Sequence, residues 1–145
     1  MADSIAISSW HLPVPAGWEL LEKIGLRRAD KDAFPSNVIP TEDHLQGITT
    51  LKEYMDSQLH IVRQYFTEPQ FEFRGPARIN GVDEAIMLVI RFKGDDGRAA
   101  MQRQVYVRLG SHVGVLTFTT LETELAAVEP SFIAILSGAS FQPAA

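Results

Sequence analysis

NGVDEAIMLVIRFKGDDGRAAMQRQVYVRLGSHVGVLTFTT, residues 80–120, reads as three long strands joined by short turns. Asn80 and Gly81 form the strongest hairpin signal in the chain, opening into a strand over residues 82–92. KGDDG makes the next turn, into a strand over 98–109, and residues 110–112 connect tightly to a last long strand over 113–120. Connections this short join antiparallel neighbours, so the stretch predicts a meander. A sheet with one face in water alternates apolar and polar residues. Here Ile86, Leu88 and Ile90 point one way while Ala85, Met87 and Val89 point the other. Val113 and Val115 oppose Leu116 and Phe118 in the same manner. Between them the alternation is cleaner, with Val105, Val107 and Leu109 on one side and Gln102, Gln104 and Tyr106 on the other. Both faces of this sheet therefore need covering.

The segment best suited to cover one of them is LKEYMDSQLHIVRQYF, residues 51–66. At helical spacing, Leu51, Tyr54, Met55, Leu59, Ile61, Val62, Tyr65 and Phe66 fall within an arc of roughly 160°. Thr50 and Glu53 make a capping box at its start, and Glu68 and Pro69 end it. Gln58 sits near the centre of the apolar arc. A primary amide has four hydrogen-bonding positions, so burying one there is costly unless something meets it. On spacing alone the plain reading is a partly buried amide bonded to a neighbouring carbonyl.

The rest of the chain predicts shorter elements. Ile5 and Ile7, then Leu12 and Val14, suggest two short strands, the second at an edge because of its prolines. Residues 19–28 read as one extended segment with Ile24 and Leu26 on one face, and residues 37–39 as a short strand stopped by Pro40, followed by loop to residue 49. Residues 70–73 form a strand that Gly75 and Pro76 break. A second helix is expected with Pro130 at its first position, Phe132, Ile133, Ile135 and Leu136 as buried candidates and Gly138 as its stop. The expected fold is α+β: one domain over residues 1–145, a twisted antiparallel sheet with one long helix and a shorter C-terminal one. Two helices are not expected to cover both sheet faces, and the apolar surface left over predicts a homodimer.

Composition excludes several function classes. With no cysteine there is no disulfide framework and no thiol nucleophile. A formal charge of -5 with scattered basic residues gives no footprint for nucleic acid. The longest apolar run, residues 85–90, is far short of the about 20 residues that span a bilayer. The first residues lack the basic start and apolar core of a secretory signal, so a cytoplasmic location is expected. His11, His44, His60 and His112 lie apart in the chain, with no pair at metal-ligand spacing. Glu42, Asp43 and His44 read as a polar loop, Ser8, Ser9 and Ser140 lack a nucleophile elbow, and the glycines form no phosphate loop. No metal, cofactor or catalytic group is expected.

LPVPAGW at 12–18, LKEYMDSQL at 51–59, RQVYV at 103–107 and EPSFIAIL at 129–136 together resemble the DcrB-related family, whose fold is PsbP-like. Within it the chain is similar to the Eag chaperones of type VI secretion systems, over about residues 5–141. The resemblance implies a cytoplasmic homodimer that holds the hydrophobic N-terminal transmembrane segments of a toxin effector before loading onto the secretion spike. It implies a concave apolar surface in which Gln58 and Gln104 bond the bound helix, lined by Ile24, Leu26, Val38, Val62, Phe66 and Ala100. The alternatives are a PsbP-like accessory domain that binds another protein or a small apolar ligand, and a hydrolase.

Overall fold

The computed structural model describes residues 3–22, 24–45 and 50–143, with residue 73 by its backbone alone. In chain order the elements are β1 (Asp3–Ile7), β2 (Trp10–Val14), β3 (Trp18–Leu21), β4 (Gly25–Arg28), β5 (Asn37–His44), α1 (Leu51–Tyr65), β6 (Thr67–Pro76), β7 (Glu84–Lys93), β8 (Ala99–Leu109) and β9 (His112–Leu121). A short 3-10 turn, Glu122–Glu124, then leads into α2 (Leu125–Gly138) and β10 (Ser140–Phe141). The expected meander is present as β7, β8 and β9, and β6 extends it. It sits inside a seven-stranded antiparallel sheet of order β3-β4-β5-β9-β8-β7-β6, beside a three-stranded sheet of order β1-β2-β10. The architecture is α+β, with one long and one C-terminal helix on an antiparallel sheet.

The two apolar faces inferred from β7 and β9 are covered by different elements. On one face, Leu26, Val38, Val105, Val107, Leu116 and Phe118 pack against Phe132 and Ile135 of α2. The Phe132 ring meets Phe118 edge-on at 4.8 Å and Trp18 at 5.9 Å, geometries that add to the area each ring buries. The small sheet closes the same face. Trp10 and Phe141 lie 5.1 Å apart and cross over Gly114, where an added Cβ would meet Phe141 at 2.6 Å. On the opposite face, Leu51, Met55, Leu59 and Val62 of α1 bury Leu88, Ile90, Tyr106, Val113 and Val115. The capping box predicted for Thr50 and Glu53 starts that helix.

Several boundaries differ from the sequence expectation, each for a local reason. Residues 19–28 fold into two strands, β3 and β4, because the chain reverses through Glu22 at φ 46°. β5 runs through Pro40 instead of stopping there. Beyond Val38 it has no β4 partner, so the missing proline N–H removes no ladder bond on that side. β2 is central and not an edge strand, but β10 pairs only with its Trp10 and His11 and leaves Pro13 unpaired on that side. β6 continues through Gly75 and Pro76, taking up the irregularity as register shifts, and Asn80 bridges to Ser140 before Gly81 turns the chain. α2 begins before Pro130, which lies inside it. The loop expected at 46–49 lies outside the described residues.

Phe132→Ala should remove the aromatic plug between α2 and the sheet, at a cost of about 3–5 kcal/mol. Its melting temperature is expected to fall by on the order of 10 °C, while Leu20→Ala, at an exposed position, stays within about 2 °C. Equal melting of the two variants would contradict this placement of the core.

Candidate functional site

α1 covers only part of its sheet face. It packs on β6 and β8. One flank is tied to β6, where Asp56 accepts from Arg74 at 3.1 Å and the Arg63 guanidinium lies 5.0 Å over the Phe71 ring. The other flank carries Tyr54, Gln58, Ile61 and Tyr65, one stripe at i, i+4, i+7 and i+11. Tyr54 fixes where that stripe looks, since its hydroxyl donates to Asp43 of β5 at 3.4 Å. Burial, then the charge of Asp43 and the hydrogen bond to it, pushes the Tyr54 pKa from 10.0 up to about 12, so the phenol keeps its proton. The stripe therefore overlooks the 117–119 end of β9 and the adjoining part of β5, beyond Val113 and Val115, which α1 buries.

Below the stripe the floor is small and polar. Ile39 pairs with Thr117, Gln104 with Thr117 and Gln102 with Thr119, so all five share this face. All but Gln104 are half-buried. Ile61 and Tyr65 stand above them, 48% and 78% exposed, a large apolar surface for an isolated chain to present to water. At the C-terminal end of α1 the floor deepens into a cavity of about 460 Å³, walled by Tyr65, Phe66, Phe92, Ala100, Gln102 and Thr119. The Phe66 and Phe92 rings lie there with centroids 4.5 Å apart, tilted by 46°.

The residues singled out from sequence divide across the sheet. Gln58 lies half-buried in the exposed stripe, and its side chain has no hydrogen-bond partner among the described residues. Phe66 and Ala100 wall the cavity, and Ile24 stands exposed in the β3–β4 turn. Val62 is buried under α1 against the sheet and lines no open surface. Leu26 and Val38 require correction. They pair with each other and with Phe118 in the column directed at α2, and both are 0% exposed, so neither lines a groove on the α1 side. Gln104 differs from its expected role too: it is 7% exposed, receives a hydrogen bond from the Tyr106 hydroxyl and donates from Nε2 to Gln102 Oε1 at 2.9 Å.

Sequence reasoning passed over Ile39, Thr117 and Thr119. Their signal was the break from apolar to threonine on one face of β9, visible only once β5 and β9 are known to pair. It also kept the histidines apart. His44 and His112 are register partners whose rings lie 4.4 Å apart, and the buried Nδ1 of His112 has no hydrogen-bond partner among the described residues. Among the described residues no group of three His, Asp or Glu side chains is placed to hold a metal ion.

No protein-family model and no curated protein sequence matches this chain. Solved structures do. Cyanobacterial PsbP from Synechocystis sp. PCC 6803 superposes with a TM-score of 0.60 at 10% identity, over 97% of this chain and 91% of that one. The fold is PsbP-like. LpqN of Mycobacterium tuberculosis, involved in cell envelope biogenesis, matches with a TM-score of 0.73 at 18% identity, over 99% of this chain and 91% of its own. PA94 of Pseudomonas aeruginosa, a protein of unknown function, matches with 0.65 at 22%, over 91% of each chain. At these identities what is shared is the fold.

The two glutamines should separate in a mutational test. Gln104→Ala strands a buried Tyr106 hydroxyl without its acceptor, at about 1–3 kcal/mol, and melting should fall by several degrees. Gln58→Ala abandons no internal bond and should melt within about 1 °C of the parent. The reverse order would contradict the assigned hydrogen bonds.

Proposed function

We propose that the protein is a non-enzymatic chaperone for an apolar helical segment, and that its client is the hydrophobic N-terminal region of a type VI secretion effector. The client would be held in the cytoplasm until the effector is loaded onto the secretion spike. The observation that carries this reading is the uncovered half of the sheet beside α1. Helices pack about 8–10 Å apart and strands lie about 4.8 Å apart, so a helix laid against the exposed flank of α1 falls two strands along, over β9 and β5. A spanning helix of about 20 residues is about 30 Å long. β9, with ten residues, is about as long, but its 113–115 end lies under α1, so part of such a helix would extend beyond the open 117–119 end.

The chemistry of this surface suits such a client. Ile61 and Tyr65 are exposed apolar groups that a membrane segment would cover. Gln58, Thr117 and Thr119 offer the small number of hydrogen bonds that membrane helices use among themselves. The client's own backbone is already paired within its helix, so shape and apolar area do most of the work. No helix among the described residues is itself long and apolar enough to cross a membrane. A second reading, a small apolar ligand, is favoured only by the cavity at the end of α1, whose size lies within the usual range for ligand sites.

Assembly as a homodimer belongs to the same proposal and is supported by α2. Its exposed positions, Ala126, Ala127, Pro130, Ile133, Ala134, Ser137 and Gly138, carry no charge. Glu129, the one charged residue of the helix, is turned into a paired bond with Arg103 at 2.8 and 2.9 Å. A neutral face with small residues lets a second copy approach closely. Light scattering at micromolar concentration should give twice the chain mass, and Ile133→Glu should halve it; a monomer throughout contradicts the dimer.

Client binding should depend on the exposed stripe and not on the buried one. Co-expressed with a candidate effector fragment that contains its N-terminal apolar segments, Ile61→Asp should remain folded by circular dichroism and retain at least tenfold less client. Val62→Asp, charged inside the core, should instead unfold. Undiminished co-purification by folded Ile61→Asp would place the client elsewhere.

A further inference from the structure

We infer that Gln102, and not Gln104, supplies the hydrogen-bond donor with which this surface selects its client, and that the group it selects is an oxygen acceptor within an apolar helical segment. The inference rests on the chaperone reading above and names what its floor recognises.

One chain of hydrogen bonds runs along β8. Gln102, Gln104 and Tyr106 alternate with residues of the other face and so point the same way. Burial first, then the neighbouring Tyr54, raises the pKa of the Tyr106 hydroxyl above the ordinary tyrosine value, so the group keeps its proton and must donate it. It donates to Oε1 of Gln104, and no other acceptor for it occurs among the described residues. A planar amide held by its oxygen turns its nitrogen the opposite way, and Gln104 Nε2 duly donates to Oε1 of Gln102 at 2.9 Å. The same constraint passes down one step. Gln102, its oxygen engaged, ends the chain with an Nε2 that has two protons to give and no acceptor among the described residues.

That terminal amide is half-buried and lies on the wall of the cavity at the end of α1, among Tyr65, Phe66, Phe92 and Ala100. Hydrogen bonds in series polarise one another, and an apolar wall strengthens each of them. Gln102 is thus set to give a proton on the inner wall of the cavity, whose lining elsewhere includes Lys93, Asp95 and Asp96. Mid-helix backbone carbonyls of a client are already bonded, so the acceptor must come from a side chain, a hydroxyl or amide oxygen on the face of the segment turned to the sheet. Gln104 is then a positioning residue that acts through Gln102.

The test compares two forms of one peptide, a lysine-flanked Leu/Ala helix of about 20 apolar residues with a single methionine, reduced or oxidised to the sulfoxide. The sulfoxide accepts hydrogen bonds and donates none. The methionine is moved through one helical turn so that one peptide of the set presents it to the sheet. For the wild-type protein, some position should give a sulfoxide Kd no weaker than that of the reduced form. In Gln102→Glu, which can still accept from Gln104 but has lost the donor, the ratio of sulfoxide to reduced Kd at that position should rise about tenfold, the scale of one buried hydrogen bond. Gln102→Leu should give the same rise, and Tyr106→Phe a smaller one, with circular dichroism reporting that each variant is folded. Binding of the reduced peptide with no position that tolerates the sulfoxide, or an unchanged ratio in both Gln102 variants, overturns the role of Gln102 and leaves the chaperone reading standing. Failure of the wild-type protein to bind any peptide of the set overturns both.

Discussion

A strand that is apolar on both sides must be buried on both sides, and β7 with β9 imposes that requirement on everything else in the molecule. One face is covered by α2 and by the small sheet through Trp10 and Phe141. The other receives a single helix. α1 covers β6 to β8 and the 113–115 end of β9, and among the described residues no helix or strand lies over the 117–119 end of β9 and the adjoining β5 and β4. The uncovered half is where β9 changes from Val113 and Val115 to Thr117 and Thr119. Farther out, on β4 and β3, the same face carries the exposed Arg27–Glu19 ion pair, as a wetted surface does. Over β9 and the adjoining part of β5 it carries hydroxyls, amides and, along its rim, exposed Ile61 and Tyr65.

Much of this was legible because it depends on local pattern. The apolar run of residues 82–92, the cleaner alternation of 98–109, the turns at Gly97 and Gly110 and the capping box at Thr50 each specify an element from a few neighbours, and the structure contains them. What the sequence hid depends on partners. Pro40 looks like a stop unless one knows that β4 has already ended beside it. Pro130 looks like a start because nothing local reveals the 3-10 turn at Glu122–Glu124 that nucleates α2 earlier.

The candidate site shows the same division. Gln58 stood out from helical spacing alone, and it does lie in the exposed stripe. Leu26 and Val38 were carried over by resemblance, and strand register sends them to the α2 side, a distinction that a one-residue shift reverses. Gln104 and Gln102 share a parity that sequence reveals, but which amide is consumed internally follows only from the Tyr106 hydroxyl beside them. The His44 and His112 pair needed β5 and β9 to be matched residue by residue.

The most direct measurement is a map of backbone amide signals by nuclear magnetic resonance as a lysine-flanked apolar helix is added. The account predicts shifts and slowed exchange at Ile39, Thr117, Thr119 and the Gln58–Ile61–Tyr65 stripe, with the Leu26 and Val38 amides and the outer face of α2 unchanged apart from any effect of assembly. Changes confined to α2 or to the small sheet, with the uncovered half of the seven-stranded sheet silent, would contradict it.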